Sequence, residues 1–140
     1  MQVQPYLFLE GRAEEAIEFY KKALGAEVIA LMRMKDSPES PPPGMIPPGS
    51  ENKVMHASVK IGGTEVMLSD GSVSGKPSFA GVSLSLGGLS AKEAEKYFAA
   101  LAEGGKVTMP LGKTFFAERF GMVADKFGVS WMLVADPIQP

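Results

Sequence analysis

Ala13-Glu14-Glu15-Ala16-Ile17-Glu18-Phe19-Tyr20 returns later in the chain as Ala91-Lys92-Glu93-Ala94-Glu95-Lys96-Tyr97-Phe98. The two octets start 91 − 13 = 78 residues apart, and Ala, Glu, Ala and an aromatic pair recur at the same spacing. Each octet runs on through a glycine, Gly25 or Gly104, into a segment bearing Val28 or Val107. Each half then closes on a Met-Leu pair, in Val66-Met67-Leu68 and Trp131-Met132-Leu133. A duplicated helix-then-strands unit implies two modules of one design within a single domain, 1–72 and 79–140, joined by a short Gly/Ser/Pro linker. The surface shared by two such modules is the expected place for a site.

Working outward, Ala13, Ala16, Ile17, Tyr20 and Leu24 fall at i, i+3, i+4, i+7 and i+11, one face of a helix that Gly25 stops. Ser90 with Glu93 has the form of a capping box, and Ala94, Tyr97, Phe98 and Leu101 form the stripe of a second helix. Tyr6 to Glu10 and Glu27 to Met34 read as strands. Val54 to Ile61 alternates, with Met55, Ala57, Val59 and Ile61 on one face and Val54, His56, Ser58 and Lys60 on the other. Gly62-Gly63 turns this strand into Glu65 to Ser69. In the second half Val82 to Gly87, Lys106 to Leu111, Phe120 to Ala124 and Ser130 to Ala135 read as strands. The order in each half is strand, helix, strand, strand, strand. Asp36 to Asn52, with Pro41-Pro42-Pro43-Gly44 and Pro47-Pro48-Gly49, reads as a loop or a flap over a site.

The 140 residues carry a net charge of −2 with no basic run, so neither nucleic acid nor an anionic membrane surface is an expected partner. Cysteine is absent, which excludes disulfides, thiolate metal sites and cysteine nucleophiles. The start, Met1-Gln2-Val3-Gln4-Pro5, has neither a basic nor an apolar signal region, and no apolar run approaches a membrane span. The expected location is the cytoplasm.

Pro5-Tyr6-Leu7-Phe8, Ala16-Ile17-Glu18-Phe19-Tyr20 and Leu24-Gly25-Ala26-Glu27 resemble the opening of the vicinal oxygen chelate superfamily. Glyoxalases, ring-cleaving dioxygenases and antibiotic-binding (bleomycin-resistance-like) proteins belong to it. His56-Ala57, Met67-Leu68-Ser69-Asp70 and Asp125-Lys126-Phe127-Gly128-Val129-Ser130-Trp131-Met132 resemble its PhnB-like branch. The resemblance implies an α+β fold of paired βαβββ modules curling around a cavity, commonly in a homodimer. That branch is sometimes labelled a demethylubiquinone methyltransferase. The chain has no Gly-rich strand-turn-helix for a methyl donor.

Metal-using members take His or Glu ligands from the first and last strand of each module. The positions that align here carry Leu7, Met67, Ser83 and Met132. One histidine per chain also falls short of a two-His site, and a thioether is a poor ligand for hard or borderline divalent ions. No metal is expected at the inherited positions and no cofactor is implied. The expected function is small-molecule binding without that metal site, with His56, Ser58, Ser83, Ser85 and Glu118 as polar contacts. Met32, Met34, Met67 and Met132 fit either an adaptable apolar wall or core filling. The alternative is a lyase, isomerase or dioxygenase-like enzyme with a non-standard metal site around His56, Glu65 and Glu118.

His56 itself fits either a general base or anion donor, or a hydrogen-bonded residue that organises its strand. Asp70 and Asp125 each precede a turn, where bonds to backbone amides account for them without chemistry. Glu118 and Arg119 fit either a pocket mouth or a solvated strand edge. Gly75-Lys76-Pro77-Ser78 fails as a phosphate loop, since Pro77 removes an amide and no capped helix follows. A dimer is expected because paired modules leave sheet edges that need cover.

Overall fold

The computed structural model describes residues 1–39 and 44–138. The chain divides into two units, Met1–Pro77 and Ser78–Pro140. The first holds β1 (Tyr6–Phe8), α1 (Ala13–Leu24), β2 (Glu27–Arg33), a 3-10 turn (Met34–Asp36), β3 (Val54–Ile61) and β4 (Thr64–Ser69). The second holds β5 (Leu84–Leu89), α2 (Ala91–Ala102), β6 (Lys106–Gly112), β7 (Ala117–Ala124) and β8 (Ser130–Pro137). The strand orders are β1-β4-β3-β2 and β5-β8-β7-β6. The first strand of each unit runs parallel to the last, and all other pairs are antiparallel. The repeat seen in the sequence is therefore a repeat of topology, and both helices have 12 residues.

In the first unit, Ala13, Ala16, Ile17, Tyr20 and Leu24 are all buried, as the spacing requires. Leu7, Ala57, Val59, Val66 and Leu68 of the sheet are buried with them in this unit's core. Burial of each large side chain contributes roughly 1.5–3 kcal/mol. Gly25 ends α1 in the left-handed region at φ 69°, its N–H returning to the Lys21 carbonyl while Ala26 N–H returns to that of Tyr20. In the second unit Trp131, Leu133 and Ala135 alternate inward along β8, with Val123 from β7 and Ala94 and Leu101 from α2. A Cβ on Gly121 would lie 2.8 Å from the Phe98 ring and 3.0 Å from Leu111 Cα, so α2 rests on β7 only because this position lacks a side chain.

Several boundaries differ from the sequence reading. The first strand stops at Phe8 rather than Glu10, because Glu10 turns the chain at φ 51°. The strand expected from Val82 begins at Leu84 and runs on to Leu89. Gly81 is still turning at φ 78°, and a register shift before Leu89 absorbs Gly87 and Gly88. As a result Ser83 precedes the strand. The strand expected from Phe120 starts at Ala117, which brings Glu118 and Arg119 into the sheet.

The described part of the Asp36–Asn52 segment contains no strand or α-helix, and Pro41, Pro42 and Pro43 lie outside the described residues. Its base is tied by Met34 N–H to the Lys53 carbonyl and Lys35 N–H to the Glu51 carbonyl, at 2.9 and 3.0 Å. No helix among the described residues is long and apolar enough to cross a membrane.

Candidate functional site

Strand alternation sorts the polar candidates by face. In the first sheet Leu7, Ala57, Val59, Val66 and Leu68 are packed toward α1. Their neighbours Tyr6, Phe8, His56, Ser58, Glu65 and Met67 therefore lie on the face turned away from α1. Register confirms the grouping, with Tyr6 opposite Met67, Ser58 opposite Met67 and Met32 opposite His56.

On this face the Tyr6 hydroxyl and His56 Nδ1 are 3.0 Å apart, and the two rings are 5.6 Å apart. Phe8 continues the row, its ring 4.9 Å from that of Tyr6 and half exposed. His56 Nε2 has no hydrogen-bond partner among the described residues. Ser58 is buried and donates its hydroxyl to Glu65. The face thus holds an aromatic row ending in an imidazole with one free nitrogen, flanked by Met32 and Met67. Sequence reasoning placed His56 here and missed Tyr6, because the two are 50 residues apart and meet only through the parallel pairing of β1 with β4.

In the second sheet Trp131, Leu133 and Ala135 face α2, so Ser85, Met122 and Met132 lie on the other face. Glu118 alternates with buried Ala117 and with Arg119, which bonds Glu95 of α2 at 3.4 Å. That puts Glu118 beside Phe120 on the face turned away from α2. Lys113 approaches it to 3.8 Å, an exposed pair of little energetic weight. Phe116 stands edge-on to Phe120 at 5.0 Å. Ser83 shares a hydrogen bond of 2.8 Å with Ser130. Of the five expected polar contacts, His56 and Ser58 share one face in the first unit. Ser85 and Glu118 share one in the second, with Ser83 at the strand's entry.

The inherited metal positions do not fit a divalent ion. Leu7 is core, Met67 and Met132 are thioethers, and the Ser83 hydroxyl is engaged by Ser130. Among the described residues no three His, Asp or Glu side chains converge, and Glu65 is held by Ser58.

A cleft of about 150 Å³ lies elsewhere in the first unit, at the start of α1, lined by Gly11, Glu14, Gly49, Asn52, Lys53 and Asp70. Its polar groups serve one another. Buried Asp70 accepts from Gly11 N–H (3.0 Å), Ala13 N–H (2.7 Å) and Val54 N–H (2.7 Å). Lys53 donates to the Gly11 carbonyl at 2.9 Å. Arg33 forks onto both oxygens of Glu14 at 3.1 and 2.7 Å and reaches the Asn52 carbonyl. The Arg33 hydrogen bond holds the Glu14 carboxyl below its ordinary range, and Glu14 in turn raises the guanidinium. Asp70 is thus a long-range fastener rather than the local turn former read from sequence. Asp125 does act locally, accepting from the Phe127 and Val129 amides, and it also takes Trp131 Nε1–H at 2.9 Å.

Residues 1–134 match the family model described as 3-demethylubiquinone-9 3-methyltransferase. The protein YjdN of Escherichia coli is 38% identical over 147 residues, spanning 100% of this chain and 99% of its own. The crystal structure of PA1353 from Pseudomonas aeruginosa is 41% identical, with a TM-score of 0.83 over 97% of this chain and 98% of that one. The PhnB protein of Bacillus cereus is 33% identical, with a TM-score of 0.78 over 96% and 99%. With its two βαβββ units and this match across almost its whole length, the chain belongs to the 3-demethylubiquinone-9 3-methyltransferase family, the PhnB-like branch of the vicinal oxygen chelate superfamily.

Proposed function

We propose that this protein binds a small molecule through the face of its first sheet turned away from α1, without the inherited metal set. The observation that carries this is His56, half-buried beside Tyr6 with Nε2 unpartnered among the described residues, in a row of aromatic and thioether side chains. Small-molecule sites combine apolar walls with a few polar anchors, and this face has that composition. Within the second unit, Ser85 and Glu118 share the face turned away from α2, with Ser83 at the strand's entry, and are candidate polar contacts of that unit.

The family's name points to methyl transfer, and the helix starts do not support that here. The amides of Gly11 and Ala13 are taken by Asp70, and α2 is capped by Ser90 and Glu93. The start of each helix is thus engaged by the chain's own carboxylate or hydroxyl groups rather than opened by a Gly-rich loop.

Purification under native conditions, followed by mass spectrometry of retained small molecules and metal analysis before and after chelation, tests the proposal. The expected result is a retained organic molecule that chelation leaves in place. Stoichiometric metal, lost on chelation together with the molecule, would overturn it in favour of metal-dependent chemistry.

A further inference from the structure

We infer that Tyr6 is a positioning residue that fixes His56 as a hydrogen-bond donor at Nε2, so that the site takes a planar ring carrying an oxygen acceptor. This rests on the small-molecule reading above and narrows its ligand class. Two groups contact at 3.0 Å, and each could in principle donate. A phenol is the stronger acid and an imidazole nitrogen the far stronger base, so between the neutral groups the phenol O–H donates and Nδ1 accepts. The imidazole proton must then reside on Nε2, the nitrogen without a partner among the described residues. A neutral His56 in this tautomer offers a proton and no lone pair toward a ligand.

The surroundings select the rest of the ligand. The Tyr6 and Phe8 rings are tilted 34° at 4.9 Å, and the Tyr6 and His56 rings 35° at 5.6 Å. Such a row packs best against a flat conjugated body. The Glu65 carboxylate on this face is occupied by the Ser58 hydroxyl, and the polar group within the aromatic row itself is the imidazole N–H. A carbonyl, phenol or phenolate oxygen on an aromatic ring meets both demands.

The chain has one histidine, so imidazole nitrogen spectra need no assignment. Long-range proton–nitrogen correlation spectra on the whole protein, at a pH where the ring is neutral, report the tautomer directly. The expected wild-type spectrum is that of Nε2–H with Nδ1 unprotonated. Tyr6→Phe, which keeps the ring and removes the hydroxyl, shifts it to a mixture. A wild-type Nδ1–H tautomer, or an unchanged spectrum in a folded Tyr6→Phe, would overturn the assignment.

The ligand class is read by titrating with 4-chlorophenol and with 4-chlorotoluene, a matched ring lacking the oxygen. The phenol should bind about tenfold more tightly, the usual worth of one hydrogen bond, and Tyr6→Phe should shrink that ratio. Equal affinity for both probes overturns the inference and leaves the small-molecule reading standing. Binding of neither overturns both.

Discussion

Asp70 and Asp125 are both buried carboxylates, and they organise their units by different chemistry. Asp125 folds the β7–β8 turn onto itself and pins the indole of Trp131. Asp70 joins three places distant in sequence: the loop before α1, the first turn of α1 and the start of β3. α1 has no side-chain cap of its own, so its first free amide depends on Asp70. Asp70→Ala should leave three buried or half-buried amides unpaired and cost roughly 3–5 kcal/mol, read as a drop in denaturant midpoint. The sequence suggested only a turn, because partners 16, 57 and 59 residues away leave no spacing signal.

Glu10 shows the same long reach. Its carboxylate accepts from the Ser72 and Ser74 amides, its carbonyl accepts from Gly75 N–H, and Gly71 leaves room for it. Desolvation pushes Glu10 up, but the Ser74 and Ser72 hydrogen bonds outweigh it and leave the group below the ordinary value of 4.5. A lowered carboxyl stabilises the fold above its unfolded value, and that contribution fades as pH falls through the lowered folded value. Glu10→Gln should therefore lower stability at neutral pH and narrow the difference between neutral and acid midpoints. Denaturant titrations on both sides of the carboxylate range check this. An unchanged pH dependence would show that the clasp contributes nothing.

At the scale of elements, the two helices have one design and two ways of starting. α2 carries its own capping box, with Glu93 N–H donating to Ser90 Oγ at 3.1 Å and Ser90 N–H to the Glu93 carboxylate at 3.0 Å. That box was legible because both partners lie within one turn. Ser90→Ala should cost about 1 kcal/mol, less than Asp70→Ala, because the lost cap is exposed and water replaces it. The octet repeat and the strand alternation were legible for a similar reason, since periodicity is a local pattern set by burial on one side. The start of β5 was misread because alternation in Val82 to Gly87 continues through a turn that only the backbone reveals. Of the polar candidates, His56 was placed on its face by the alternation of β3, whereas its partner Tyr6 depends on how β1 joins the sheet. Gly121→Val should cost 1–3 kcal/mol or about that, by forcing Phe98 of α2 off β7, and thermal melts of the variant would show it.

At the scale of the whole molecule, β2 is an edge strand that exposes Val28, Ile29, Leu31 and Met32. β6 is an edge strand of the second sheet, exposes Val107 and Met109, and carries Pro110, a residue suited to an edge. An apolar exposed edge is a template for pairing. We propose a homodimer in which a second copy covers β2. Light scattering at micromolar concentration should give twice the chain mass, and Ile29→Lys with Leu31→Lys should give a folded monomer. A monomeric wild type would contradict it.

The binding proposal stands or falls at one residue, and removal of its side chain is the most direct measurement. Wild-type protein and His56→Ala are purified natively in parallel, and the retained small molecule is quantified by mass spectrometry beside a thermal melt of each. A ligand anchored at His56 predicts at least a tenfold loss of the retained molecule with a melting temperature changed by only a few degrees. Full retention in the folded variant, or unfolding of the variant when the molecule makes no contact with this face, would contradict it and leave His56 as a structural partner of Tyr6.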